Sequence, residues 1–244
     1  MTGPAGSAAT GLRRFVRPPE QATAPGPGPA GSAAPAVPEA PAVPEAPSSQ
    51  PERCELCATE IPAEHGHVAD TEAASLLCAC RACYLLFTQE NKRTRYRAVP
   101  DRYLADPARP MPLAVHDELG IPVGLAFFLR TSRSGGELSG FYPSPAGVTE
   151  CQLDLQLWQR LEAGYPLLRE PAEDVEAVLI SRTDGGLEYY LVPVDACYEL
   201  AGRMRLLWRG FDGGAEATAS IAAFLASVRQ RARPSGARPR EQHG

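Results

Sequence analysis

The chain has 244 residues, a formal net charge of −5 and a pI near 5.5, and its 44% apolar content suffices for an ordinary folded core. The acidic balance argues against a dedicated DNA-wrapping protein, whose domain is normally basic. No apolar run reaches the roughly 18 residues of a membrane span and the N-terminus lacks a secretory stretch, so no membrane span and a cytoplasmic location are expected, where thiols stay reduced.

The first 50 residues hold 11 Pro, 12 Ala and 6 Gly, with a tandem repeat of APAVPE over residues 34 to 45. Such a segment favours extended polyproline conformation and has no face to bury, so residues 1–51 are expected to be a disordered Ala/Pro-rich tail. Within it, GLRRFV at residues 11 to 16 is the one bulky stretch, read as a short piece of tail with a docking peptide as its alternative.

Composition changes at Cys54. Residues 52–90 read as a cysteine turn, a strand near HGHVAD, a second strand SLLCAC and a helix from about Cys80 through YLLFTQE, the layout of a small treble-clef or zinc-ribbon-like module with four cysteine ligands. Residues 91–110 form a basic connector, in which six basic side chains stand against Asp101, Asp106 and the preceding Glu90, with Tyr96 and Tyr103 among them. Residues 111–232 read as an α+β domain with an antiparallel sheet. Strands are expected at PLAVHDEL, VGLAFFLRTS, LSGFYPS, VEAVLISR and LEYYLVPV, the last two joined by the hairpin signal TDGG. Helices are expected after Asp154, after Asp195 as N-cap, and over roughly 215 to 232, followed by a disordered terminus at 233–244.

Chemistry concentrates in the cysteines. Cys54 and Cys57 form one C-x2-C pair, Cys80 and Cys83 a second, and 22 residues separate them. Two such turns bring four thiolates to one cation at about 2.3 Å from each sulfur, so Cys54, Cys57, Cys80 and Cys83 are the expected metal ligands. A helix start at Cys80 also favours a thiolate there. Cys78 is surplus, either an alternate fourth ligand in place of Cys80 or a packing residue, and His65 and His67 are reserve ligands. Zinc is the expected ion, with iron as the alternative. A closed tetrathiolate zinc leaves no position for substrate, which weighs against metal catalysis.

Elsewhere the signals are weaker. Cys197 lies on an apolar helical stripe and reads as core, Cys151 has no clear role, and His116, beside Asp117 and Glu118, reads as a solvated loop residue. GFDGG and RTDGG are turns without the lysine of a phosphate loop.

Through CELC, LLCACRACYLLF, RYRAVPDRY, FYPSPAGVTE and LVPVDACYELAGRMRLLWRGFDGG, the chain resembles an uncharacterised domain-of-unknown-function family of high-G+C bacteria over about residues 52 to 230. The resemblance implies genes placed beside those of nickel-iron hydrogenases, hence a hydrogenase-associated accessory protein, and carries no catalytic residues with it. The reading that follows is a non-enzymatic accessory or assembly protein with a structural zinc and a hydrogenase subunit or maturation protein as partner. Its alternatives are an iron-thiolate electron-transfer protein and a nucleic-acid-binding zinc finger, the latter disfavoured by the acidic charge.

Overall fold

The computed structural model describes residues 51–88, 95–121, 123–210 and 212–236. Residues 1–50 of the expected N-terminal tail, with its repeat and GLRRFV, together with Lys92 and Arg93 of the connector, lie outside them. The fold is α+β with antiparallel sheets: a three-stranded sheet near the cysteines and a seven-stranded sheet that organises the rest.

The small sheet has the order β2-β1-β3, with β1 at Gly66–Asp70, β2 at Ser75–Ala79 and β3 at Tyr96–Ala98. β1 and β2 pair in the register His67↔Cys78 and Asp70↔Ser75. The short helix α1, Arg81–Leu86, follows at once. Residues 96–98, expected as connector, therefore complete the small sheet, because Tyr96 pairs with Asp70 and Ala98 with Val68.

The large sheet runs β10-β4-β9-β8-β5-β6-β7. Its strands are β4 (Leu104–Ala105), β5 (Leu125–Arg130), β6 (Leu138–Ser144), β7 (Gly147–Cys151), β8 (Glu176–Thr183), β9 (Gly186–Pro193) and β10 (Arg233–Pro234). The β8–β9 hairpin turns on Asp184 and Gly185, where the TDGG signal placed it. Successive side chains of a strand point to opposite faces. Here both faces are apolar. Phe127, Leu179 and Val192 enter one core with Leu200 and Met204, whereas Phe128, Ile180 and Leu191 enter another with Trp158 and Leu161. The helices α4 (Val194–Leu207) and α5 (Gly214–Arg231) cover the first face, and α2 (Ala114–Leu119) and α3 (Leu155–Gly164) cover the second. Asp154 caps α3 as expected, accepting from the amides of Gln156 and Leu157 at 2.8 and 3.2 Å.

Several expectations change. PLAVHDEL is not a strand: Val115, His116 and Leu119 share the buried face of α2, which Gly120 ends in the left-handed region at φ 63°. His116 is consequently buried, and its Nε2 faces the Val123 carbonyl at 3.1 Å instead of solvent. Asp195 is not the N-cap of α4, a position held by Pro193; it sits in the first turn, where its carboxylate accepts from the Ala196 amide and reaches His67. The strand β7 adds to the expected set a segment, GVTEC, that is too short and too polar to give a strand pattern. Residues 104–105 of the connector pair with β9, and Arg233–Pro234, expected to fray, pair with β4 in parallel.

The small sheet is seated on the large one through a third apolar cluster of Ala69, Val99, Val175 and Val194. Ion pairs flank this seam. Arg95 grips Asp70 through Nε and Nη2 at 3.0 and 2.7 Å, and Arg102 grips the buried Glu176 at 2.7 Å through both nitrogens. Arg97 donates to the Glu173 carbonyl at 2.6 Å, and Arg109 pairs with Asp106 at 2.7 Å. Arg95, Arg97, Arg102 and Arg109 of the connector are thus engaged with the protein itself.

Candidate metal centre

The first pair of cysteines sits on a tight knuckle. Arg53 and Glu60 close it as an isolated antiparallel bridge, the Cys54 amide donates to the Thr59 carbonyl at 2.8 Å, and Ala58 turns the chain back at φ 61°. The second pair comes from the end of β2 and the start of α1. Cys80 is the N-cap residue, and the Cys83 amide donates toward its Sγ at 3.5 Å. Cross-ties hold the two halves together: the Glu55 amide donates to the Cys78 carbonyl at 2.9 Å, and the Cys78 amide donates to Glu55 at 2.6 Å.

The result is that the Sγ atoms of Cys54, Cys57, Cys80 and Cys83 all lie within 4.8 Å of one another. Cys57 and Cys80 sulfurs are 3.7 Å apart. A tetrahedral ion with metal–sulfur bonds of about 2.3 Å requires sulfur–sulfur distances of roughly 3.8 Å, so the donor set fits a tetrathiolate ion. Four cysteines are therefore positioned to hold one metal ion, and the spacing suits zinc and iron alike.

The electrostatics of this set call for a cation. Burial works against ionising Cys54, but amides of Cys80, Leu56 and Cys57 aimed at its sulfur outweigh this and bring the thiol down to about 6. Cys57 is lowered by the side chain and amide of Thr59. Cys83, whose thiol is shared with the sulfurs of Cys57 and Cys80, is pushed up to about 12. Converging thiolates repel one another, and a metal cation at their centre would allow all four to lose their protons.

Cys78 stands apart from this cluster. Its sulfur groups with ring nitrogens of His65 and His67, again within 4.8 Å, so the structure divides the five finger cysteines into four and one. Strand geometry explains the division: His67 and Cys78 are direct partners in the β1–β2 register, whereas the chain leaves the sheet before Cys80. The sequence carries this signal only as H-x-H at the entry to the first strand, with His65 just before β1 and His67 within it.

The apolar run after Cys83 is only partly a seat. Tyr84 donates its hydroxyl to the Val99 carbonyl at 2.9 Å and Phe87 meets the Tyr96 ring at 5.5 Å, while Leu85 and Leu86 are exposed. Cys197 is core as expected, with burial pushing its thiol up. Cys151 is half-buried opposite Gly140, where a Cβ would meet its sulfur at 2.6 Å and the Phe128 ring at 2.8 Å.

A family of unknown function, DUF5947, matches residues 53–232. The chain belongs to that family. The matched region spans the finger, the seam and the large sheet up to the residue before β10. No curated protein and no solved structure matches the chain. As a DUF5947 member, the protein shares a domain to which no activity is attached, and its function has to be read from its own residues. Among the described residues no helix is long and apolar enough to cross a membrane.

Proposed function

We propose that this protein is a non-enzymatic accessory or assembly factor, in which Cys54, Cys57, Cys80 and Cys83 bind a structural zinc ion and the α+β domain offers a surface to a hydrogenase subunit or a hydrogenase maturation protein. The observation that carries the first part is the convergence of four thiols from two turns: a tetrathiolate fills the coordination sphere and leaves such an ion structural. The second part is supported by the resemblance of CELC, LLCACRACYLLF and the other quoted segments to a family associated with those enzymes. When bound, the ion would supply a rigid cross-link between the knuckle and α1.

The same donor set supports a second reading, iron held by four thiolates and cycling between two oxidation states. An absorption spectrum of the purified protein separates the two, because zinc-thiolate is colourless in the visible range and iron-thiolate is not. The partner is tested by tagging the chain in its native host. Recovery of a hydrogenase component and loss of hydrogen uptake on gene deletion are expected; recovery of neither, with uptake intact, rejects the assembly role.

A further inference from the structure

We propose that the finger carries a second metal centre, formed by His65, His67 and Cys78, whose fourth coordination position opens into the cleft between the small sheet and α4. This goes beyond the tetrathiolate reading and uses none of its ligands.

The three residues converge because of strand geometry. His67 lies in β1 with Cys78 as its direct cross-strand partner, and His65 stands in the chain just ahead of that strand. One ring nitrogen from each histidine and the Cys78 sulfur lie within 4.8 Å of one another, and the two rings meet edge to face at 5.0 Å.

The hydrogen bonds prepare both rings as ligands. Nδ1 of His65 lies 2.9 Å from the Pro62 carbonyl oxygen, which can only accept, so Nδ1 carries the proton. Nδ1 of His67 lies 2.9 Å from a carboxylate oxygen of Asp195, with the same consequence. In each neutral ring the lone pair is therefore on Nε2. A metal-bound histidine usually donates its other nitrogen to a carboxylate or a backbone carbonyl, and here one ring has each kind of acceptor. The His65 side chain is 8% exposed, and its Nε2 is buried without a hydrogen-bond partner among the described residues. A buried acceptor without a partner is disfavoured, and a metal ion at this position satisfies it.

The surroundings distinguish this site from the tetrathiolate. All three residues line a cleft of about 1540 Å³ whose other walls include Tyr84, Tyr103 and Arg231. Two imidazoles and one thiolate would fill three positions of a tetrahedral ion and leave the fourth to the cleft they line, as in an open zinc site that binds an exchangeable water or small anion. The ligand class is a divalent transition-metal ion with nitrogen and sulfur preference, for which Zn2+ is the natural probe.

The test is metal stoichiometry on untagged full-length protein. After incubation with excess Zn2+ and gel filtration, wild type is expected to hold two ions per chain, and Cys78→Ser and His65→Ala, made separately, one each. A single ion in wild type that Cys80→Ser removes and Cys78→Ser does not, or two ions in wild type and in both variants, overturns the proposal. A single ion lost in Cys78→Ser but kept in Cys80→Ser supports this site and instead rejects the tetrathiolate. Should a variant lose every ion, Co2+ titration of wild type decides: the second centre must add the charge-transfer band of one thiolate, against four for the first, and a cobalt without thiolate absorption there overturns the assignment.

Discussion

His67 on the first strand of the finger and Asp195 in the opening turn of α4 are joined by a 2.9 Å hydrogen bond across 128 positions of sequence. The same carboxylate accepts from the Ala196 amide at 2.8 Å, so Asp195 is anchored to its helix while it orients the ring. Replacing Asp195 with Ala should leave the tetrathiolate ion in place and weaken Zn2+ binding at His65, His67 and Cys78 by about 10- to 100-fold, the usual effect of removing a carboxylate behind a ligating histidine. Competition against a chromophoric chelator measures it; unchanged affinity at both sites contradicts a positioning role for Asp195.

Removal of metal should unfold the finger alone. Binding of a structural zinc contributes about 10–16 kcal/mol in zinc-finger peptides at neutral pH, more than a module of this size gains from its three short strands. Treatment with a strong chelator is expected to raise amide exchange over residues 53–86 toward unfolded rates, while β8 and β9, buried on both faces, keep their protection. Cys80→Ser should reproduce this pattern without chelator.

Arg102 is the counter-charge of a carboxylate that cannot reach water. Glu176 is 1% exposed, takes two 2.7 Å bonds from Arg102, and accepts from the Ala172 amide at 2.9 Å. Arg102→Met strands that charge and should destabilise the protein by about 3–5 kcal/mol. Adding Glu176→Gln to the Arg102→Met variant should recover part of the loss in chemical denaturation; no recovery would mean that packing of the arginine stem, and not its charge, carries the effect.

Asp70 supplies a pH dependence with a definite sign. The Arg95 guanidinium, against the opposing effect of burial and with help from the Ala73 and Glu72 amides, holds its carboxyl below the usual range. A carboxyl with a depressed folded-state pKa contributes stability that is fully present above its unfolded value of about 3.9 and disappears as pH falls through the lower folded value. The stability difference between wild type and Asp70→Asn should accordingly be constant from neutral pH down to about 5 and shrink below about 4. Denaturation curves at a series of pH values check this, and a difference that persists at the acid end points to the turn contacts of Asp70 instead of its charge.

The parts of this fold that were legible in the sequence are those encoded locally. The β8–β9 hairpin is announced by Asp184-Gly185, α3 by its Asp154 cap, and the metal module by the spacing of its cysteines. What sequence order hides is non-local. The charges of Arg95 and Arg102 look like those of a solvated linker until Asp70 and Glu176 are brought beside them. The split of Cys78 from Cys80 depends on where β2 stops, a boundary that spacing alone does not set. PLAVHDEL misleads because its apolar residues fit a strand period as well as a helix period, and the left-handed Gly120 decides for the helix.

The short β10 is the last of these non-local features. The Arg233 amide donates to the Tyr103 carbonyl at 3.0 Å and the Ser235 amide to the Ala105 carbonyl at 2.7 Å. Trimming the chain to the family region, which ends at residue 232, would remove both donors and leave β4 as a bare border able to recruit strands from neighbouring molecules. For this protein, residues just beyond the recognisable domain supply the last backbone donors of its large sheet.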